Sequence, residues 1–535
     1  MIVPKYMSNK NIVLRTNYRY HFPLGIAYIM AVMKKAGYCV DCINLNHLEG
    51  SIENIINKRL DFKKYDFVCT GGNALLYSVI EKIINNVKKH PTKPKFILGG
   101  PIITTEPELI FNALSPDYGV IGEGEETILE LLKIIKSGKN LSKVKGIIYR
   151  NKSGDIIQTS RRPVLADLEK IPYPDFEGVG FMKQLDNMHC NDFYYSFAFD
   201  NPRVYTIMGS RGCPFQCTFC YHEDKYRKRS IKDIMKELRT NVIKYRINII
   251  NLLDEQLSLT KERIYSFCDQ IEKLQKEIPW KLRWTCQLSV ISVDSNLLKR
   301  MKETGCTIVS YGFESFSQPV LNNMKKPITP NQIEQAFNST LKNKIGIQAF
   351  FIFGDPAETK ETADETINWW KKNSYGQIGA GFIQPYPGSE IYKYCLRKGI
   401  IKDKLDYIKN EISKEHWYNM TEKMSDKDIK KLKNEILKAT SKYTKYVLPN
   451  SKKKCGEGSY DFKVCCPFCQ NVGWYRNCFI NGRFTYGFQV ICRYCGKRFF
   501  LVSQIQKIAY KYYNWTRVLR DVYLRIRESI KKRKI

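Results

Sequence analysis

Gly212-Cys213-Pro214-Phe215-Gln216-Cys217-Thr218-Phe219-Cys220-Tyr221-His222 is the stretch from which the rest of this 535-residue chain can be read. Its three cysteines follow the pattern C-x-x-x-C-x-x-C. An iron–sulfur cubane ordinarily takes four thiolates, so a loop that supplies three leaves one iron without a protein ligand. An open coordination position is what a reactive metal centre keeps, and a small chelator can enter it through an amine and a carboxylate. Zinc sites usually draw on C-x-x-C pairs. A zinc site, or scattered structural thiols, is therefore the poorer reading of a lone triplet.

Outward from this loop, toward the C-terminus, short apolar runs alternate with helical patterns. Strands are predicted over 204–208, 247–253, 282–287, 307–313, 346–353 and 377–383, and helices over 230–244, 261–276, 295–304, 331–344 and 360–372. Six strands with crossover helices predict a partial (β/α)6 barrel. Such barrels carry their active groups at the carboxyl ends of the strands. The cysteine loop follows the first strand, Asp254-Glu255 the second and Glu314-Ser315 the fourth. Gly354-Asp355-Pro356-Ala357-Glu358-Thr359 follows the fifth strand and Gln384-Pro385-Tyr386-Pro387-Gly388 the sixth. Acceptors at these points suit the ammonium and hydroxyl groups of a ligand. Glu358-Thr359 has a second reading as a helix start, with Thr359 and Glu361 in its first turn.

On the N-terminal side, residues 1–140 alternate strands (11–15, 40–44, 67–70, 96–98, 119–121) with helices (26–35, 75–88, 127–137). This predicts a doubly wound, Rossmann-like parallel sheet. Gly71-Gly72, Gly99-Gly100-Pro101 and Gly122-Glu123-Gly124-Glu125 follow its third, fourth and fifth strands. They stand on the edge where such sheets bind ligands. Cys39 and Cys42, three apart in a predicted strand, point to opposite faces and read as packing. Residues 144–159 predict a hairpin turning at Ser153-Gly154-Asp155. Residues 160–200, with Pro163, Pro172 and Pro174, read as a linker in which 187–195 can form a lid or a substrate loop.

Residues 391–450 are charged and helical. His416 beside Trp417 reads as packing or surface. Cys466-Pro467-Phe468-Cys469 and Cys492-Arg493-Tyr494-Cys495-Gly496 form two C-x-x-C knuckles separated by 22 residues. Four thiolates so spaced make a closed tetrahedral site for zinc, with rubredoxin-like iron the competitor. The pattern resembles a zinc ribbon. From Gly496 to Ile535 there are 12 Lys/Arg against Asp521 and Glu528, with Tyr510, Tyr512, Tyr513, Trp515 and Tyr523 interleaved. Such a basic helix suits a nucleic acid or an anionic surface. Alternatively it docks on the ribbon through its aromatic face.

The bulk numbers agree with a globular protein of several domains. Hydrophobic content is 43%, enough for sizeable cores. No run of about 18 apolar residues predicts a membrane span, and residues 1–10 have no apolar core of a secretory leader. The 18 cysteines, falling singly or in metal-type clusters, fit a reducing cytoplasm. The net charge of +34 comes with abundant Lys, Asn, Ile and Tyr, the signature of AT-rich codons, so outside the tail it does not of itself call for a polyanionic partner.

The cysteine loop, down to Phe219 before its last cysteine, resembles the signature of the radical S-adenosylmethionine (radical SAM) enzymes. Phe22-Pro23-Leu24-Gly25, Lys35-Ala36-Gly37-Tyr38, Gly99-Gly100-Pro101 and Gly122-Glu123-Gly124-Glu125 resemble the cobalamin-binding domain that precedes many radical SAM cores. Ile171-Pro172-Tyr173-Pro174 resembles the linker of that two-domain family. The order Asp254-Glu255, Tyr311-Gly312-Phe313-Glu314-Ser315 and Phe353 to Thr359 is similar to its class B, methylase-like members; the likeness covers residues 12–385.

The resemblance implies a [4Fe-4S] cluster on Cys213, Cys217 and Cys220. It implies SAM near Phe219, Asp254, Glu314 and Gly354, and cobalamin against Pro23, Leu24, Gly25, Gly71, Gly99, Gly100, Glu123 and Gly124. No D-x-H-x-x-G is present, and His21, His47 and His90 lie outside that frame, so no histidine ligand to cobalt is expected. An N-terminal cysteine triad, which a methylthiotransferase would need, is absent. The implied chemistry is reductive cleavage of SAM to a 5′-deoxyadenosyl radical and methylation of an unactivated carbon. Rearrangement or cyclisation is the close alternative. An RNA-binding or RNA-modifying protein, working through ribbon and tail, is the alternative from another class. An electron donor such as flavodoxin or ferredoxin and a small-molecule substrate are the implied partners. The expected units are 1–140 (cobalamin-binding-like), 141–200 (hairpin and linker), 201–390 (radical SAM core), 391–450 (helical extension), 451–500 (ribbon) and 501–535 (basic helix).

Overall fold

The computed structural model describes residues 1–6, 21–60, 64–222, 225–374, 376–414, 418–480, 482 and 484–511. The expected strand at 11–15, His416 with Trp417, and the tail from 512 lie outside them. One strand pair begins the fold: β1 (Ile2–Val3) runs parallel to β2 (Ile43–Asn44). Next comes a five-stranded sheet in chain order, β3 (Phe67–Gly71), β4 (Lys95–Gly99), β5 (Tyr118–Val120), β6 (Ile147–Arg150) and β7 (Ile156–Gln158). The first three are parallel, and the β6–β7 hairpin extends the sheet antiparallel. Thr70 Oγ1 donates to the Ile2 carbonyl at 2.8 Å, which sets β1 beside β3.

Alternation along β4 explains the layering: Ile97 faces one core, Phe96 and Leu98 the other. The hairpin turns at Gly154, at φ +92°, as its sequence requires. Its joining the sheet as an edge was not legible. The helices Ile52–Leu60 and Pro107–Leu114 were also unforeseen; in the second, Pro107 begins the helix, where its missing N–H is harmless. Cys39 and Cys42 lie not in a strand but in irregular chain before β2: Cys39 is exposed, a correction, while Cys42 is half-buried and packs against the core as read.

The barrel is a parallel six-stranded sheet ordered β8 (Val204–Ile207), β11 (Ile249–Leu252), β12 (Arg283–Gln287), β13 (Cys306–Glu314), β14 (Gly346–Phe353) and β15 (Ile378–Phe382). All six expected strands are present in the expected order. Between β8 and β11, β9 (Ser210–Arg211) and β10 (Arg227–Lys228) form a short antiparallel pair that frames the cysteine loop. Helices start where the caps predict. Ser230, Asp294, Thr329 and Thr359 each accept the backbone N–H three residues on. Thr359 closes its capping box with Thr362, not Glu361.

After the barrel, residues 390–412 strap back onto the N-terminal unit. Ile391, Tyr392, Ile408 and Ile412 join the core of its outer face, and Lys404 and Lys409 pair with Glu106 and Glu81. Helix Asp426–Tyr443 then leads to β16 (Tyr446–Val447), β17 (Ser451–Lys454), β18 (Ser459–Cys465), β19 (Val472–Phe479), β20 (Gly487–Ile491) and β21 (Arg498–Val502). These make two three-stranded sheets, β17-β18-β19 and β16-β21-β20. Helix Gln504–Lys511 packs back, with Tyr510 stacked on Tyr446 at 4.6 Å.

The small sheets dock at the amino-terminal ends of the barrel strands. Arg498 N–H donates to Gln377 Oε1 at 2.5 Å, Gln377 Nε2 returns a bond to the Arg498 carbonyl at 2.9 Å, and the guanidinium reaches the Ile347 carbonyl at 3.3 Å. The segment read as a lid or substrate loop instead lies between ribbon and barrel base. Cys190 N–H donates to the Asn477 carbonyl at 3.1 Å. Asn191 exchanges two 2.8 Å bonds with the backbone of Phe479, and Arg493 donates to the Phe197 carbonyl at 2.7 Å and pairs with Asp200. Among the described residues no helix is long and apolar enough to cross a membrane.

Candidate active site

The cysteine loop is held from several sides. Thr218 N–H donates to the Met324 carbonyl at 3.0 Å, and the Thr218 carbonyl accepts from Ile391 N–H at 2.9 Å. The Cys217 carbonyl accepts from Cys220 N–H at 3.1 Å and from His222 Nε2 at 2.8 Å. Cys217 is buried, Cys213 half-buried and Cys220 exposed. Burial pushes the Cys217 thiol up to about 11; nearby Lys326 opposes this, and Glu314 and Cys213 add to it. Although the residue is exposed overall, desolvation of its sulfur pushes the Cys220 thiol up to about 12, with the charges of Cys217 and Glu314 behind it. Three mutually repelling sulfur ligands at one loop fit a cationic iron–sulfur group, which would stabilise them as thiolates.

The residues expected around SAM lie at the carboxyl ends of the barrel strands. Phe219 is half-buried against the outer core. Asp254 is buried; its Oδ1 accepts from Gly209 N–H at 2.6 Å, its Oδ2 has no hydrogen-bond partner, and burial pushes the carboxyl up to about 6. One oxygen thus fixes the turn that leads into the cysteine loop. Glu314 sits at φ +60°, beside a register shift between β13 and β14. A non-glycine residue held there carries backbone strain, and its Oε1 accepts from Lys326 Nζ at 3.1 Å.

Gly354, at φ +95°, donates its N–H to Glu358 Oε2 at 2.5 Å. Glu358 is buried and pushed up to about 8, so it holds the Gly354 turn while Thr359 alone caps the helix. Asp355 accepts from Asn323 at 2.6 Å and leaves Oδ2 without a partner. Sequence reasoning missed Lys326, whose only signal was its place in a Lys-Lys-Pro turn after a short helix.

At the facing edge of the N-terminal sheet lies a cavity of about 510 Å³. Pro23, Leu24 and Gly25 line it from the start of the helix Leu24–Lys35, Gly71, Gly99 and Gly100 from two strand ends, and Glu123 with Gly124 from the turn after β5. Met208, Arg211 and Leu253, none of them foreseen, come from the barrel side. A Cβ on Gly25 would meet nothing within 4 Å, so glycine there keeps open space for a ligand. Gly71 and Gly100 are glycine for another reason. A Cβ on Gly71 would stand 2.8 Å from the Gly99 carbonyl, and one on Gly100 2.9 Å from Gly72 N. The two loops touch backbone to backbone. An apolar slot edged by glycines fits a broad flat macrocycle such as cobalamin. Glu123 does not point a free carboxylate into the slot, because Arg211 and Arg227 bind it. Burial would raise its carboxyl, but the hydrogen bonds and charges of those two arginines hold it below the ordinary range.

The four sulfurs of Cys466, Cys469, Cys492 and Cys495 lie within 4.8 Å of one another, with Cys466–Cys495 at 3.8 Å and Cys469–Cys492 at 3.7 Å. Ligands about 2.3 Å from a tetrahedral centre stand about 3.8 Å apart. The set fits a single four-coordinate ion with no open position.

Two family models match the chain, the B12 binding domain over residues 10–132 and the Radical SAM superfamily over 207–369. The chain is a radical SAM enzyme with a cobalamin-binding domain. An uncharacterized methyltransferase of Pyrococcus horikoshii is 27% identical over 391 residues, 71% of this chain and 79% of that one. The anaerobic magnesium-protoporphyrin IX monomethyl ester cyclase of Rubrivivax gelatinosus is 26% identical over 381 residues, 69% of this chain and 66% of that one. Among solved structures, the cobalamin-dependent S-adenosylmethionine radical enzyme OxsB, with aqua-cobalamin and S-adenosylmethionine bound, superposes with a TM-score of 0.64. That match has 16% identity and covers 83% of this chain and 66% of that one, so it speaks for the fold alone.

Proposed function

We propose that this radical SAM enzyme is a cobalamin-dependent methyltransferase acting on an unactivated carbon of a small-molecule substrate. The observation that carries the reading is that the cavity abuts the barrel next to the cysteine loop. The glycine-edged cavity is bounded on its far side by Met208, Arg211 and Leu253, which follow β8, frame the cysteine loop and follow β11 respectively. When bound, the cluster with SAM supplies a hydrogen-abstracting radical and the cobalamin a transferable methyl group. Cys213, Cys217 and Cys220 are the proposed cluster ligands; Phe219, Glu314 and Gly354 border the SAM site, and Asp254 fixes its entry turn. Lys326 beside Glu314 offers a cation for a carboxylate. Residues 1–140 hold cobalamin and 201–390 the radical core, while 451–500 hold structural zinc through four thiolates. A one-electron donor of the flavodoxin or ferredoxin kind completes the system.

The test is anaerobic reconstitution with SAM, reductant and hydroxocobalamin. Formation of 5′-deoxyadenosine together with methylcobalamin is expected. No 5′-deoxyadenosine would remove the radical chemistry. The cyclase relative favours a second reading, cyclisation or rearrangement, and 5′-deoxyadenosine without any methylcobalamin from SAM would select it.

A further inference from the structure

We propose that Glu123, with Arg211 and Arg227, is a positioning clasp that joins the cobalamin cavity to the cluster loop, so that seating cobalamin is felt at Cys213–Cys220. The inference rests on the family assignment and not on methylation. Glu123 stands in the loop after β5, between Gly122 and Gly124, which edge the cavity. Its Oε1 accepts from Arg211 Nη1 at 2.9 Å and Arg227 Nη2 at 3.0 Å. Its Oε2 accepts from Arg227 Nη1 at 2.9 Å and from Leu165 N–H at 3.1 Å.

The two arginines are not arbitrary partners. Arg211 and Arg227 are paired across β9 and β10, the two strands from which the cysteine loop springs and to which it returns. One carboxylate therefore holds both ends of the loop. Arg211 also donates to Glu125 at 2.6 Å, and its guanidinium lies 5.2 Å from the ring of Tyr28, on the helix Leu24–Lys35 whose first residues line the cavity. Arg227 Nη1 donates in addition to the Leu165 carbonyl at 2.8 Å, which laces in the linker.

Side-chain exposures of 14% for Arg211, 18% for Glu123 and 9% for Arg227 keep most water out. Bidentate, charge-assisted contacts in such a place are directional as well as strong. A shift of the Gly122–Glu125 edge as a macrocycle seats must move the carboxylate, and the carboxylate must carry both loop ends with it. Coupling between two sites through such an element ordinarily amounts to 5- to 150-fold in affinity, roughly.

Hydrogen exchange on the full-length, cluster-reconstituted protein tests this, with hydroxocobalamin as the probe and its absorbance change as the binding signal. In the unaltered protein, hydroxocobalamin should slow exchange both in the cavity loops and in peptides spanning 211–228, the latter by about 5-fold or more. In Glu123→Gln the cavity loops should still respond while 211–228 no longer does, with iron content kept. Arg227→Gln should do the same. In a double-mutant cycle on the hydroxocobalamin dissociation constant, the two changes together should weaken binding no more than the worse of them alone.

An unaltered protein that binds hydroxocobalamin with no response in 211–228 overturns the clasp, and so does a full response there in both variants. The measurement on the unaltered protein decides even if a variant fails to fold. No binding signal at all would instead strike at the cobalamin assignment.

Discussion

Replacing Cys466 and Cys469 with serine should loosen the barrel's underside without touching its iron. Structural zinc sites contribute on the order of 10 kcal/mol to the folding of small metal domains, as much as the whole stability of a typical domain. Without the metal the ribbon should open. Residues 188–200 then lose what holds them to it. Three neutral hydrogen bonds, from Cys190 N–H to Asn477 and the two between Asn191 and Phe479, contribute about 1 kcal/mol each, or about 3 kcal/mol together. The Arg493–Asp200 pair, with both side chains about a quarter to a third exposed, adds little. At about 1.4 kcal/mol per factor of ten, amides in 190–197 should exchange about a hundredfold faster. Exchange measured by mass spectrometry, beside metal analysis, reads both halves: zinc lost and about four irons kept. Unchanged protection at 190–197 would refute the claim that the ribbon holds this segment. Loss of iron in the same protein would refute the separation of the two metal sites.

Cys213→Ala with Cys217→Ala and Cys220→Ala should remove about four irons and leave about one zinc, by elemental analysis. Glu358, pushed up to about 8 by burial, stays protonated in the fold where an unfolded chain ionises it. Stability should therefore be greatest below the ordinary glutamate range and fall as pH rises toward 8. Glu358→Gln should flatten that part of the melting-temperature profile, and an unchanged slope would contradict the assignment. Gly25→Val should block hydroxocobalamin while leaving the melting temperature nearly unchanged, since a Cβ there meets no atom within 4 Å. Gly100→Ala, at φ +82° and against Gly72, should lower the melting temperature itself, by about 1–3 kcal/mol of stability; equal melting temperatures would contradict the backbone contact.

The barrel was legible because most of its strands are short runs rich in buried apolar residues and four of its helices open on a Ser, Asp or Thr that caps them. The cavity was legible because glycines crowd one edge of the sheet. What escaped was tertiary. β1 and β2 are two residues each, too short for any periodicity. Arg211 and Arg227 look like ordinary charges along the chain, and their partner Glu123 lies 88 and 104 residues away. Asn191 reads as a loop polar residue until Phe479, 288 residues later, takes both ends of its amide. The Glu358 carboxyl was read as a ligand acceptor or a helix-start residue, because nothing in sequence tells that it will be buried under a glycine turn.

The ribbon's position has a consequence for how the chain is made. Residues 188–200 leave the ribosome long before residues 471–498, which cover them, have been synthesised. Closing so long a loop carries an entropy cost that rises with the logarithm of its length. The barrel strands can pair in order of synthesis, since each neighbours the next one made, apart from the short β9–β10 pair. Their amino-terminal ends stay uncapped until Arg498 is placed between Gln377 and Ile347. A nascent chain stalled before the ribbon would thus hold a nearly complete barrel with an open apolar base, the kind of intermediate that aggregates or is taken up by chaperones.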